Sequence, residues 1–445
     1  MTIDCAITTV KRALPVTIPD STAIFDWRHC WYPIAFVQDL PPHRPHRFSL
    51  YGESLVLFRD ARAKLACLVD QCAHRAAKLS DGRMVNGQLE CAYHGWQFDG
   101  QGRCVHIPQL PAGTAIPRNA CVRSLVVQER QGIVWVWAGE AESADEQQIP
   151  ALAVLDQPGW VCSDFMIDLP YDQTYLIENL IDPAHADISH NGTQGHRDHA
   201  QPLEMEIIRT SPSGIQGRWR YTRQRNEPWH CLEFTAPNLV SYTFNLEKPG
   251  WLVGLTFHSL PLDQGRCRVL VRGYHNVWLW KWATRLSWLT HLKMNKTFEQ
   301  DLSLIMGQQE QVAHAGNHLK NLYLPLKTSD LFAIEYRKWL DQFGVALPYY
   351  QGYSTEKLVS ESLSNPDRQL GDRFSRHTRL CHSCQQARHT LGWLRQSLIG
   401  IAILLTIWAI AIAPDSHQTF RIAFASLLAA VLAALSHHLK TRFEQ

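Results

Sequence analysis

Four metal-ligating side chains at fixed spacing constrain this chain more than any other feature. Cys72-Ala73-His74 is followed, after sixteen residues, by Cys91-Ala92-Tyr93-His94, the pattern C-x-H-x16-C-x-x-H. Two thiolates and two imidazoles can hold a tetrahedral zinc ion. They can equally hold a [2Fe–2S] cluster, with the thiolates on an inner ferric iron and the imidazoles on an outer iron that changes redox state. Zinc fingers usually pair Cys with Cys and His with His along the chain, whereas each half here is mixed. Exchanging two thiolates for neutral imidazoles removes negative charge and raises the potential above that of an all-cysteine cluster. Gly95, Gly100 and Gly102 supply turn geometry around the second half.

A second constellation lies about ninety residues downstream, in Glu178-Asn179-Leu180-Ile181-Asp182-Pro183-Ala184-His185 and on to Ser189-His190. Asp182 and His185, three apart, share a face if the segment is helical. Pro183 makes the helix begin, or become irregular, there. His190 lies five residues beyond His185, so a bend must return it to the same metal. Two histidines and a carboxylate on one face of an iron leave positions open for O₂ and water. Taken alone, a His-x4-His pair is a weak signal, and two core or surface histidines explain it as well.

The two motifs together resemble a known family. DQCAHR and CAYHGWQFDGQGRC match the Rieske signature closely, with Ala73 standing where a proline is common. The order Asn-x-x-Asp-x-x-His-x4-His resembles the mononuclear-iron motif of Rieske non-haem iron oxygenases. The resemblance implies a cluster on Cys72, His74, Cys91 and His94, clasped by two hairpin loops, and an iron on His185 and His190. It implies a third iron ligand on a late helix, which is taken as Asp301 in FEQDL, ahead of Glu299 and Glu310. It also implies a head-to-tail homotrimer. In such a ring Asp182 bridges a cluster histidine (His94) of one subunit and an iron histidine (His185) of the next, and Asn179 supports it or caps a helix. DWRHCWYPIAFVQDLP, ENLIDPAHADISHNGTQG and a late Cys381-His382-Ser383-Cys384 before two apolar runs narrow the resemblance. They are similar to the branch of pheophorbide a oxygenase, protochlorophyllide oxygenase and the chloroplast translocon-associated Rieske protein.

The remaining sequence fits that frame. Residues 1–22 read as a leader without a signal-peptide signature. Residues 23–140, where short β-rich runs alternate with Gly, Pro and Asp turns, read as an antiparallel β domain for the cluster. Residues 141–350 read as an α+β domain of the helix-grip type, one antiparallel sheet with helices on one face, including helix over Tyr175–Ser189 and Trp278–Ala315. Residues 351–390 read as a polar linker holding the CxxC pair. Residues 391–440 read as an apolar helical hairpin, either inserted in a membrane or lying in its interface or packed on the body; Arg388, Arg395, Lys440 and Arg442 would keep both outer ends of an inserted hairpin cytoplasmic or stromal. For Cys381 and Cys384, three readings stay open: a switch addressed by a thioredoxin-like partner, unpaired thiols, and metal binding with His377 or His382 nearby.

A net charge of +2, with no basic run interleaved with aromatics, argues against nucleic acid. Sixteen tryptophans serve the core or a wide pocket for a flat apolar substrate. No flavin, nicotinamide or ferredoxin fingerprint occurs, so electrons come from a separate ferredoxin-like donor and reductase. The expectation is a monooxygenase of a chlorophyll-derived tetrapyrrole, at a thylakoid or plasma membrane of a photosynthetic organism. The alternatives are an oxygenase of another apolar or secondary-metabolite substrate, a membrane-bound Rieske electron carrier, and a thiol-responsive subunit with vestigial catalysis.

Overall fold

A computed structural model describes residues 25–223, 227–246, 251–277, 287–316, 318–355, 371–411 and 416–445. The leader, the expected helix start at Trp278 and much of the polar linker lie outside these residues. The chain divides into two compact units, Met1–Arg285 with Thr297–Pro366, and Leu286–Lys296 with Asp367–Gln445.

The first unit begins with three small antiparallel sheets. Trp31–Phe36 pairs with Ile133–Trp137, which also pairs with Val127–Arg130. Every residue of IVWVW is buried, so the run shows no alternation and reads as continuously apolar. Register slips between Pro33 and Ala35, where proline brings no N–H to the ladder. A second sheet orders His46–Leu50, Glu53–Arg59, Leu65–Val69 and Ser124–Leu125. A third orders Arg83–Val85, Gln88–Glu90, Gln97–Phe98 and Cys104–His106. Between the last two lies a core of Val56, Phe58, Leu68, Leu79, Leu89 and Phe98 that also takes in Cys72 and Cys91.

A seven-stranded antiparallel sheet follows, in the order Val161–Leu169, Arg266–His275, Leu252–Asp263, Leu239–Asn245, His230–Thr235, Gly214–Tyr221, Leu203–Ser211. Arg268 and Arg272, four apart on one strand, share a face. Arg268 pairs with Asp168 at 2.6 Å and donates to the Ile34 carbonyl; Arg272 pairs with Asp164 at 2.7 Å and donates to the Gln131 carbonyl. Two buried cations thus join this sheet to the N-terminal strands, each satisfied by a carboxylate and a backbone oxygen.

Among the described residues, five α-helices belong wholly or partly to this unit: α1 (Gln173–Leu180), α2 (Ala186–Ser189), α3 (Ser287–Ala315), α4 (Leu319–Leu322) and α5 (Leu331–Phe343). In α5, Phe332, Tyr336, Trp339, Leu340 and Phe343 recur at helical spacing and are buried. Phe332 packs so closely on the sheet that a Cβ on Gly217 would sit 2.3 Å from its ring. The helix expected over Tyr175–Ser189 is broken: α1 stops at Leu180, and Pro183 stands in the gap before α2.

The second unit contains the first residues of α3, a π-helical turn at Phe374–Thr378, α6 (His382–Ala411) and α7 (Ser416–Thr441). The hairpin start expected at 391 falls inside α6, so the CxxC pair straddles that helix's first turn. Both helices are long and apolar enough to cross a membrane.

Candidate metal centres

The loops of the first motif are built alike. The Cys72 amide donates to the Ala77 carbonyl and the Cys91 amide to the Trp96 carbonyl, at 2.8 and 2.9 Å. In return Ala76 and Gly95 donate to the Cys72 and Cys91 carbonyls. Both of these fourth residues take positive φ, 56° at Ala76 and 73° at Gly95. Glycine does so freely, while alanine is strained there. Each loop therefore turns its cysteine inward and its histidine outward, although His74 is two residues on and His94 three. The Nδ1 atoms of His74 and His94 converge to 3.2 Å, and His74 stacks on Trp96 with centroids 4.6 Å apart. Burial raises the Cys72 thiol to about 11, with Cys91 adding to the rise, so a sulfur is held as thiolate there only by a cation. Buried sulfurs behind and paired imidazoles in front fit a [2Fe–2S] cluster with inequivalent irons.

The second group is assembled from distant segments. α2 is a single turn with His185 at its N-terminal cap and His190 at its C-terminal cap, which is how five residues bring both rings to one point. The ring centroids lie 5.2 Å apart. The His190 carbonyl accepts from the amides of Thr193, Gln194 and Gly195, closing the following loop. Asp301 reaches in from α3, its Oδ2 at 3.2 Å from His190 Nε2 and 3.8 Å from His185 Nε2. The residue before it, Gln300, accepts from the Thr193 hydroxyl at 2.7 Å and donates to the Asn191 carbonyl, tying α3 to the histidine loop. One ligand atom from each of His185, His190 and Asp301 lies within 4.8 Å of the others. Asp301 and His190 are only 4% and 6% exposed. A buried carboxylate and two imidazoles fit a divalent iron with free coordination positions.

Asp182 and Asn179 lie at the same place. Asp182 Oδ1 accepts from the Ala184 amide at 2.8 Å, and Oδ2 stands 3.6 Å from His185 Nδ1. Burial alone would lower the His185 imidazole, but Asp182 and then Asp301 outweigh it and hold it above its ordinary value. Asp182 thus faces the His185 ring from the side away from Asp301.

These residues head a cavity of about 470 Å³. Asp301, Leu304, Ile305 and Gln308 of α3, at helical spacing, form one wall; Leu324, Pro325, Ala333 and Ile334 form much of another. Leu324 is 92% exposed, an apolar lip at the rim. Beneath lies a network the sequence reading missed. Glu178 pairs with the fully buried Arg337 and accepts from Gln308 at 2.9 Å and Tyr323 at 3.0 Å. Arg337 also donates to the Gln351 carbonyl and lies over the Tyr175 ring. Glu178 and Arg337 are far apart in sequence, and only the fold joins them.

Cys381 and Cys384, by contrast, are buried in the second unit.

Comparison with known proteins places the chain. The Rieske [2Fe-2S] domain model matches residues 30–125 and the pheophorbide a oxygenase model residues 234–318. "Protein TIC 55, chloroplastic" of Pisum sativum is 34% identical over 91% of this chain and 78% of its own length. "Pheophorbide a oxygenase, chloroplastic" of Arabidopsis thaliana is 30% identical over 94% of this chain and 83% of its own. Among solved structures, dicamba monooxygenase bound to dicamba shares the fold, with a TM-score of 0.58 at 23% identity over 71% of this chain and 96% of its own. The chain belongs to the Rieske non-haem iron monooxygenases, in the branch that includes pheophorbide a oxygenase, and its cofactors are a [2Fe–2S] Rieske cluster and a mononuclear iron.

Proposed function

We propose that this monooxygenase oxygenates a flat, apolar, chlorophyll-derived tetrapyrrole at the cavity lined by His185 and Asp301, which His190 joins in one ligand group. The observation that carries this reading is the cavity itself. It offers His185 and Asp301 of the ligand group, a lining that mixes aliphatic residues such as Leu304, Ile305 and Ile334 with polar ones such as Asn179, Gln308 and Tyr323, and an exposed leucine at its rim. Pheophorbide a, named by a relative that is similar over most of its length, is the first substrate to try.

Cys72, His74, Cys91 and His94 would hold the cluster, and His185, His190 and Asp301 the mononuclear iron. Bound there, the two groups would supply single-electron transfer from a ferredoxin-like donor and O₂ activation. The net reaction is RH + O₂ + 2e⁻ + 2H⁺ giving ROH + H₂O. The chain's own part is positional. Asp182 fixes the His185 ring, and its partial exposure lets it meet His94 of a neighbouring subunit in a head-to-tail trimer. Asn179 lines the same wall. The aliphatic residues keep water from the reacting centre and set the plane of the substrate. α6 and α7 form a membrane hairpin with the soluble domains on the cytoplasmic or stromal side, which keeps the enzyme near a lipophilic substrate. The homologues named above are chloroplastic, in keeping with a photosynthetic membrane.

The test is reconstitution with ferredoxin, its reductase and ¹⁸O₂, presenting pheophorbide a, chlorophyllide a and protochlorophyllide separately. Mass analysis should find one labelled oxygen on one of them. Label on none of the three would overturn the tetrapyrrole reading.

A further inference from the structure

The second unit holds another convergent set of ligands. His291 of α3, His377 of the π-helical turn, and Cys381 and Cys384 at the start of α6 are all buried, and one ligand atom of each lies within 4.8 Å of the others. His377 Nε2 stands 3.2 Å from Cys384 Sγ. His291 Nδ1 stands 3.4 Å from Cys381 Sγ and 3.4 Å from Cys384 Sγ. Around a tetrahedral zinc ion with ordinary Zn–S and Zn–N bonds, a sulfur and a nitrogen are about 3.5 Å apart. The spacing matches, and the two histidines present different ring nitrogens to one point. We propose that His291, His377, Cys381 and Cys384 bind a structural zinc ion.

Three features set this group apart from a thiol switch. Thiol–disulfide exchange needs a sulfur that a partner can reach, and Cys381 and Cys384 are 3% and 0% exposed. A disulfide needs no imidazoles, yet here two fully or nearly fully buried ones face the sulfurs. A closed two-sulfur, two-nitrogen set suits zinc or an iron–sulfur cluster, and four ligand atoms all within 4.8 Å of one another leave room for one ion, which favours zinc. The Ser383 hydroxyl, 3.3 Å from Cys381 Sγ and 3.5 Å from His291 Nδ1, is placed to donate to the thiolate from outside the ligand set.

The four ligands join elements that also share a small core. Cys381 and Cys384 share a small core with Phe443, against which Trp288, Leu292, Ala387 and Leu391 pack. The Thr378 hydroxyl donates to the Phe443 carbonyl at 2.7 Å, and Arg388 pairs with Glu444 at 2.7 Å. One ion thus fixes the first residues of α3, the π-helical turn and the base of the apolar hairpin, the kind of small core that a metal commonly completes.

The full-length chain, purified in detergent without a histidine tag, should contain one zinc per chain beside its iron. X-ray absorption at the zinc edge should report two sulfurs at about 2.3 Å and two nitrogens at about 2.0–2.1 Å. Cys384→Ser should lose the zinc while the reduced Rieske EPR signal persists. Should that variant fail to fold, His377→Cys supplies the second arm: it should keep zinc with a third sulfur in its coordination shell. Wild-type protein free of zinc, or a mass two hydrogens low from a Cys381–Cys384 disulfide, would overturn the proposal. So would zinc that remains, with unchanged coordination, when His377 or Cys384 is replaced.

Discussion

The ligand groups around Asp301 and around Cys384 use the same three-dimensional device for opposite ends. One gathers three candidate ligands, of which His185 and Asp301 line a cavity that would leave an ion accessible. The other gathers four ligands with every member buried. Open coordination with a carboxylate suits a metal that must take up O₂, while closed coordination with thiolates suits one that must hold a fold together. The lesson is that ligand number and burial, more than ligand identity, separate chemistry from architecture, since histidine serves in both.

That contrast can be broken in several ways. The sharpest is substitution at the open site. His185→Ala or Asp301→Ala should abolish turnover while leaving the Rieske EPR signal and the zinc content intact; residual turnover at wild-type rate would remove the catalytic assignment. Next is chelation. An iron chelator small enough for the cavity should strip the open site from the native protein within minutes, whereas zinc should leave only as fast as the second unit unfolds. Equal release rates, followed by metal analysis over time, would erase the distinction.

Smaller effects sharpen how the open site is supported. Glu178→Gln leaves Arg337 buried without its counter-charge, and urea unfolding should show a loss of about 3 kcal/mol. Gln300→Ala removes both hydrogen bonds between α3 and the histidine loop. It should cost about 1–2 kcal/mol and weaken iron binding in a titration with Fe(II) while the zinc stays bound. The smallest effect is a pH slope. His258 is buried beside Arg272, and burial, with the guanidinium adding to it, lowers its imidazole to about 3. Between its ordinary 6.5 and about 3 the unfolded chain therefore binds a proton that the folded chain refuses, so stability falls as pH falls through that window. His258→Gln should flatten the dependence of unfolding free energy on pH by up to one proton.

How much of this was legible in the sequence follows from what each feature depends on. Cluster ligands sit within two six-residue loops, and local spacing names them outright. His185 and His190 cap one helical turn, again a local matter, though the break before it shows only as Pro183. Asp301 needed the family resemblance, because nothing local separates it from Glu299. His291 left no signal, being one histidine in a long, largely polar helix some ninety residues from Cys381, so metal binding at the CxxC pair stayed one of three open readings. The Glu178–Arg337 pair was equally silent, since long-range pairing is decided by the sheet and by α5, not by spacing.

The tie between Gln300 and the histidine loop has one more consequence. Because neighbouring residues of α3 supply a ligand and clamp the loop that carries another, the open site is shaped by the polypeptide before any ion arrives. Two imidazoles and a carboxylate do not by themselves single out iron. By the ordinary ranking of divalent ions, zinc and copper bind such nitrogen and oxygen donors more tightly than ferrous iron does. Correct loading then rests on which ion the cell makes available during folding, and an enzyme matured where zinc is plentiful would fold normally and do nothing.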